Sequence, residues 1–181
     1  MRFLILIISL IFLSWCFGWW YEKKEISFED KFTMNINESF DNVWKWQFDW
    51  QQISKKIIKA FLEREQDSDF NDNFIVTKRE IKTEVTPEVF SEWNYKNIQR
   101  QITWLRNISW LRKHEFTCNW KNIIWYYSMF NVHQSIFDED TKYYLLQYYF
   151  IYNDRWYILS FSSSDDRYDE FIESIESISC K

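Results

Sequence analysis

Glycine is almost missing from this chain: Gly18 is the one glycine among 181 residues, beside one proline and three cysteines. A single proline, Pro87, excludes proline-rich linkers and polyproline segments. The cysteine count is too low for a disulfide-framework domain. With two histidines, His114 and His133, and neither partnered at a spacing such as H-E-x-x-H, there is no zinc-ligand signature. The absences leave no G-x-S-x-G elbow and no phosphate-cradling loop. Where glycine is short, tryptophan is in excess. Average usage of about 7% predicts roughly 13 glycines in a chain of this size, and the observed Trp 12 and Gly 1 together fill that quota.

The positions of the tryptophans explain the coincidence. Asp49-Trp50, Asn119-Trp120 and Ser109-Trp110 become D-G, N-G and S-G if tryptophan stands for glycine, and those dipeptides favour tight turns because they tolerate φ > 0. Asn153-Asp154-Arg155-Trp156 becomes a hairpin loop, and Trp44 to Trp50 becomes a glycine-rich polar loop. We therefore read most of the tryptophans as glycines encoded by UGA in an organism whose code assigns that codon to glycine. The alternative is that they are genuine, with Trp50, Trp120 and Trp156 at loop tips near Tyr148 and Tyr152 as stacking platforms for a carbohydrate or apolar ligand. Trp93 sits awkwardly in the first reading. It falls inside an expected helix, where glycine costs about 1 kcal/mol relative to alanine, so it is either a true tryptophan or a helix-packing glycine.

Arg2 precedes the apolar run Phe3 to Leu13, the layout of a secretory signal, and that run is short for a bilayer span of about 20 residues. Leu13-Ser14-Trp15-Cys16 resembles the lipobox of bacterial lipoproteins, departing from it at Trp15, where the pattern requires a small residue. As glycine, Trp15 completes the motif, and Cys16-Phe17-Gly18-Trp19-Trp20 becomes a flexible tether. The resemblance implies that Cys16 is the acylated N-terminus of a mature protein held on the extracytoplasmic side of the cell membrane. The other possibility, an uncleaved signal anchor containing Cys16, gives the same location. The expected organisation is a signal peptide over 1–15, a tether over 16–25 and one domain over 26–181. Loss of Arg2 with the signal takes the formal charge from -5 to -6, a balance that gives no support to nucleic-acid binding.

Lipidation of Cys16 leaves Cys118 and Cys180. In an oxidising compartment these form a possible disulfide tying the last helix to a mid-chain strand; otherwise both are small buried side chains.

Periodicity gives an α+β outline. Ile26 to Ile36 reads as an opening strand, Gln51 to Arg64 as an amphipathic helix because Ile53, Ile57, Ala60 and Phe61 keep helical spacing, and Phe74 to Thr77 as a short strand. Thr86 and Pro87 are an N-cap and first helical residue for a helix running to about Ile102. A meander follows over His114 to Cys118, Ile123 to Val132, Tyr143 to Tyr152 and Tyr157 to Ser162, with the third run apolar on both faces like a central covered strand. Ser164 is the expected cap of a last helix with Asp165 and Asp166 in its first turn and an apolar stripe from Tyr168 to Ile178.

The stretch Tyr149 to Ser163, followed by the Asp166 to Ile178 helix, resembles the C-terminal half of PsbP-like and Mog-type domains. The resemblance implies an antiparallel sheet flanked by helices and a domain that binds a partner or serves an assembly, and it carries over no functional residue. The expectation is a non-catalytic binding or assembly domain with no cofactor, its partner an unidentified envelope protein or small ligand; the remaining alternative is an envelope enzyme. Chemistry-bearing motifs are weak. Asp67-Ser68-Asp69-Phe70-Asn71 imitates a calcium loop but has Asp72 at the glycine position and Lys78 at the bidentate glutamate position. Asp165, Asp166, Asp169 and Glu170 need no explanation beyond the start of a helix.

Overall fold

A computed structural model describes residues 22–29, 31–43, 56–64, 71–80, 85–101, 105–136 and 139–181, with backbone alone at 101, 105–114, 132–136 and 139–142. Ten strands and two helices are found among them, in the order β1 (Lys23–Phe28), β2 (Phe32–Asn37), β3 (Phe40–Asn42), β4 (Ile57–Glu63), β5 (Asn73–Glu80), α1 (Pro87–Gln101), β6 (Leu105–Cys118), β7 (Lys121–Ile136), β8 (Glu139–Tyr152), β9 (Arg155–Ser163), α2 (Tyr168–Glu176) and β10 (Ser179–Cys180). A seven-stranded sheet runs β3-β4-β5-β9-β8-β7-β6, and a three-stranded sheet runs β1-β2-β10. Every pairing among them is antiparallel.

The large sheet is covered on both faces, and the sequence of its middle strands shows why. Leu146, Tyr148 and Phe150 alternate with Gln147 and Tyr149 along β8, so both faces carry bulk. On one face Phe32 of the small sheet meets Phe150, Tyr152 and Tyr157 at 5.1–5.4 Å between ring centroids, and Phe171 of α2 stacks on Phe161 at 4.7 Å. On the other face Phe90 and Tyr95 of α1 stack on Trp156 at 4.0 Å and Phe130 at 5.5 Å. The result is an α+β sandwich, with α1 on one side and α2 with the small sheet on the other.

Several elements differ from the sequence expectation for identifiable reasons. The expected Gln51 to Arg64 helix is, where described, strand β4. A register shift between Ile57 and Lys59 breaks the two-residue alternation, so Ile57, Ala60 and Phe61 are buried at helix-like spacing within an extended chain. The single opening strand is two, β1 and β2, turned at Glu29 with φ 54° and a Lys31 N–H donated to Phe28 O at 3.3 Å. No glycine or asparagine marks that turn. Ser109-Trp110 lies inside β6, beside its register shifts, instead of forming a turn. A bulge is another place that suits glycine.

The β8–β9 turn is Asn153-Asp154 alone, with φ 47° and 58°, and Trp156 belongs to β9. Strand β8 begins at Glu139, ahead of the expected Tyr143. Lys23 to Glu25, within the expected tether, are already in β1. Helix α2 starts at Tyr168 with Arg167 as N-cap and no side-chain cap bond; its first-turn acids are Asp169 and Glu170. Ser164 does not cap it, because its N–H and hydroxyl are drawn to Asp72 instead.

Candidate functional site

Arg167 stands where the ends of β4, β5 and β9 meet the start of α2. Its Nη1 reaches Glu63 Oε2 at 2.5 Å and Asp72 Oδ2 at 2.9 Å, while Nε and Nη2 form a fork on Glu170 at 2.8 Å each. Burial opposes the guanidinium charge, but the Glu170 and Glu63 carboxylates more than offset it and raise the pKa above its ordinary value. Asp72 is fully buried and also accepts from the Ser163 hydroxyl at 2.5 Å and the Ser164 N–H at 2.9 Å. Phe40 and Phe171 lie beside the guanidinium, each centroid 5.5 Å away. This knot joins the strands to α2 and turns its charges inward. Asp72 of the calcium-like segment belongs to it; Asp67 to Phe70 lie outside the described residues.

Beside the knot is an open groove of about 640 Å³ between the first turns of α2 and β7. Met129, Tyr168 and Ile172 give it apolar surface beside Asp166, Asp169 and the Arg167–Glu170 pair of the knot. The Tyr168 hydroxyl donates to Phe130 O at 2.5 Å, fixing the ring against β7. Such a groove accommodates a side chain or short segment. A second hollow of about 380 Å³ lies on the outer face of α1, against Trp93, Lys96, Asn97 and Arg100.

Two further polar clusters are enclosed. Glu29 pairs with Lys78 and accepts from the Tyr157 hydroxyl at 2.5 Å, fastening the β1–β2 turn to β5 and β9. Burial lowers the Lys78 pKa, and repulsion from Arg155 adds to the effect. Under α1, Asn94 Nδ2 donates to Gln147 Oε1 at 2.9 Å and Tyr149 Oη at 2.7 Å. Burial raises the Tyr149 pKa despite bonds to Ser128 and Asn94. These contacts position elements; none sets a nucleophile beside a base in an open pocket.

The residues singled out by sequence are scattered. Cys16, Trp15 and Trp50 lie outside the described residues. His114 pairs in register with Trp125 and His133 with Lys142, on backbone whose side chains are not described. Cys118 and Cys180 form a disulfide with Cα atoms 5.4 Å apart, joining the end of β6 to β10, just beyond the last helix. Among the described residues of the expected aromatic platform, Trp156, Tyr148 and Tyr152 are buried at 4%, 0% and 8% exposure, and Trp120 stands out at 99%. Asp166, Asp169 and Glu170 line the groove together, without Asp165. Sequence reasoning missed Arg167, Glu63 and Glu29. The i,i+3 spacing of Arg167 and Glu170 is the one local signal; the contacts of Glu63 and Glu29 depend on strand order.

No family model and no curated protein matches the sequence. Solved structures do match. Cyanobacterial PsbP from Synechocystis sp. PCC 6803 is similar with a TM-score of 0.58 at 14% identity, over 89% of this chain and 94% of that one. The Ran-binding protein Mog1p of Saccharomyces cerevisiae is similar with a TM-score of 0.58 at 8% identity, over 88% and 95%. A mutant form of Mog1 gives 0.54 at 8% identity, over 87% and 95%. At these identities the likeness is one of fold, and the fold of this chain is that of PsbP and Mog1.

Proposed function

We propose that this chain is an extracytoplasmic lipoprotein, acylated at Cys16, whose PsbP/Mog-like domain binds a protein partner without catalysis of its own. The observation that carries the binding half is the fold shared with Mog1p, a protein named for binding Ran; the warrant is analogy of fold. Support comes from the Arg167, Glu29 and Tyr149 clusters, whose polar groups hold elements together. The anchoring half rests on Leu13-Ser14-Trp15-Cys16 read with glycine at 15. A Cys118–Cys180 disulfide agrees with an oxidising compartment.

The reading includes the glycine code at the leader, the tether and position 120. Trp120 has φ 65° directly after Asn119 at 48°, with its side chain almost wholly in solvent. Glycine fits that backbone without cost, and asparagine followed by glycine is the favoured pair for such a hairpin. Trp125 and Trp156 are read as true tryptophans because they are buried among aromatic rings.

Expression of the full chain in a lipoprotein-processing bacterium tests the anchor. The Trp15→Gly chain is expected to incorporate labelled fatty acid, whereas Trp15→Gly combined with Cys16→Ser does not. Absence of label from the Trp15→Gly chain would overturn the lipoprotein reading.

A further inference from the structure

We infer that the Cys118–Cys180 disulfide is a redox latch on the C-terminal strand, so that its reduction releases residues 178–181 while the two-sheet core stays folded. The observations are positional. Strand β10 has two residues and pairs with β2 at Ser179↔Thr33 and Cys180↔Phe32. Apart from the disulfide it is held by the Thr33 and Ser179 hydroxyls at 2.8 Å, by the Lys181 N–H donated to Lys31 O at 2.8 Å, and by the burial of Ile178. Helix α2, immediately before it, has its own anchors. Tyr168, Phe171 and Ile175 are buried in the core, and Arg167 is tied to Glu63 and Asp72. Opening the disulfide therefore frees the segment beyond α2 and leaves α2 in place.

The two cysteines differ in burial. Cys118 is buried at 1% exposure, whereas Cys180 is half-buried on a terminal strand. A dithiol protein reductant attacks the sulfur of the less buried Cys180: its thiolate bonds to that sulfur, the Cys118–Cys180 bond breaks, and Cys118 leaves as a thiolate that takes up a proton. The second thiol of the reductant then resolves the mixed disulfide. Two electrons pass to the protein, the reductant becomes a disulfide, and Cys118 and Cys180 become thiols. Release of β10 uncovers the edge of β2 at Phe32 and Thr33, an unpaired strand edge of the kind to which a partner strand adds.

Native-state hydrogen exchange on the full chain, oxidised and after dithiothreitol treatment, reads the latch. The expected result is loss of protection at 178–181 and at Thr33, with α2, β8 and β9 unchanged. A Cys118→Ser/Cys180→Ser variant should show the same pattern without reductant. Unchanged protection of the terminal residues after reduction overturns the latch. So does loss of protection across β8 and β9, or failure of the double variant to fold, because the disulfide is then a staple of the whole fold.

Discussion

The β6–β7 and β8–β9 hairpins turn through the same backbone shape with different second residues. Asn119 and Trp120 have φ 48° and 65°; Asn153 and Asp154 have 47° and 58°. Aspartate tolerates the left-handed region because its short side chain bonds locally. Tryptophan gains nothing there, and Trp120 buries none of its area in return. Two positions after Asp154, Trp156 behaves in the opposite way, in an extended strand, 4% exposed and stacked on Phe90. Backbone and burial thus separate Trp120, which occupies a glycine's place, from Trp125 and Trp156, which pack as tryptophans do, while Trp93 is 54% exposed on α1.

Five substitutions, each followed by urea unfolding, sharpen or break that division. Trp156→Gly removes a large buried ring and is expected to cost about 3–5 kcal/mol; a neutral result would place position 156 with position 120. Trp120→Gly relieves a left-handed tryptophan and should gain about 1–2 kcal/mol, and a loss there would mean that the exposed ring makes a contact worth keeping. A double-mutant cycle between Phe90→Ala and Trp156→Ala is expected to give a coupling of about 0.5–1.5 kcal/mol from the stacked pair. Additivity would deny that the pair is a real contact. Asp154→Gly should change stability by no more than about 0.5 kcal/mol, since aspartate already suits the turn. An effect as large as that of Trp120→Gly would erase the contrast between the hairpins.

What was legible in the sequence was the part governed by local pattern. The meander from β6 to β9 and the stripe of α2 follow from two-residue and helical periodicity, and the start of α1 from Thr86-Pro87, where the Val89 N–H meets Thr86 Oγ1 at 3.3 Å. The burial of β8 on both faces was readable because its residues are apolar without alternation. Strand β4 was misread because its bulge imitates helical spacing, and the β1–β2 turn because a glutamate occupies the left-handed position that glycine or asparagine would have flagged. The groove beside α2 was hidden for a different reason. Asp166 and Asp169 looked like ordinary helix-start charges, and nothing local brings Met129 beneath them. Arg167 was read past because its partners, Glu63 and Asp72, come from strands whose neighbourhood only the sheet order creates.

Peptide mass spectrometry of the protein purified from its own cells tests the central claim most directly. The account predicts an N-terminal peptide beginning at acylated Cys16, the mass of glycine at position 120 and the mass of tryptophan at position 156. Tryptophan at position 120, in a chain whose Cys16 carries no lipid, would contradict it.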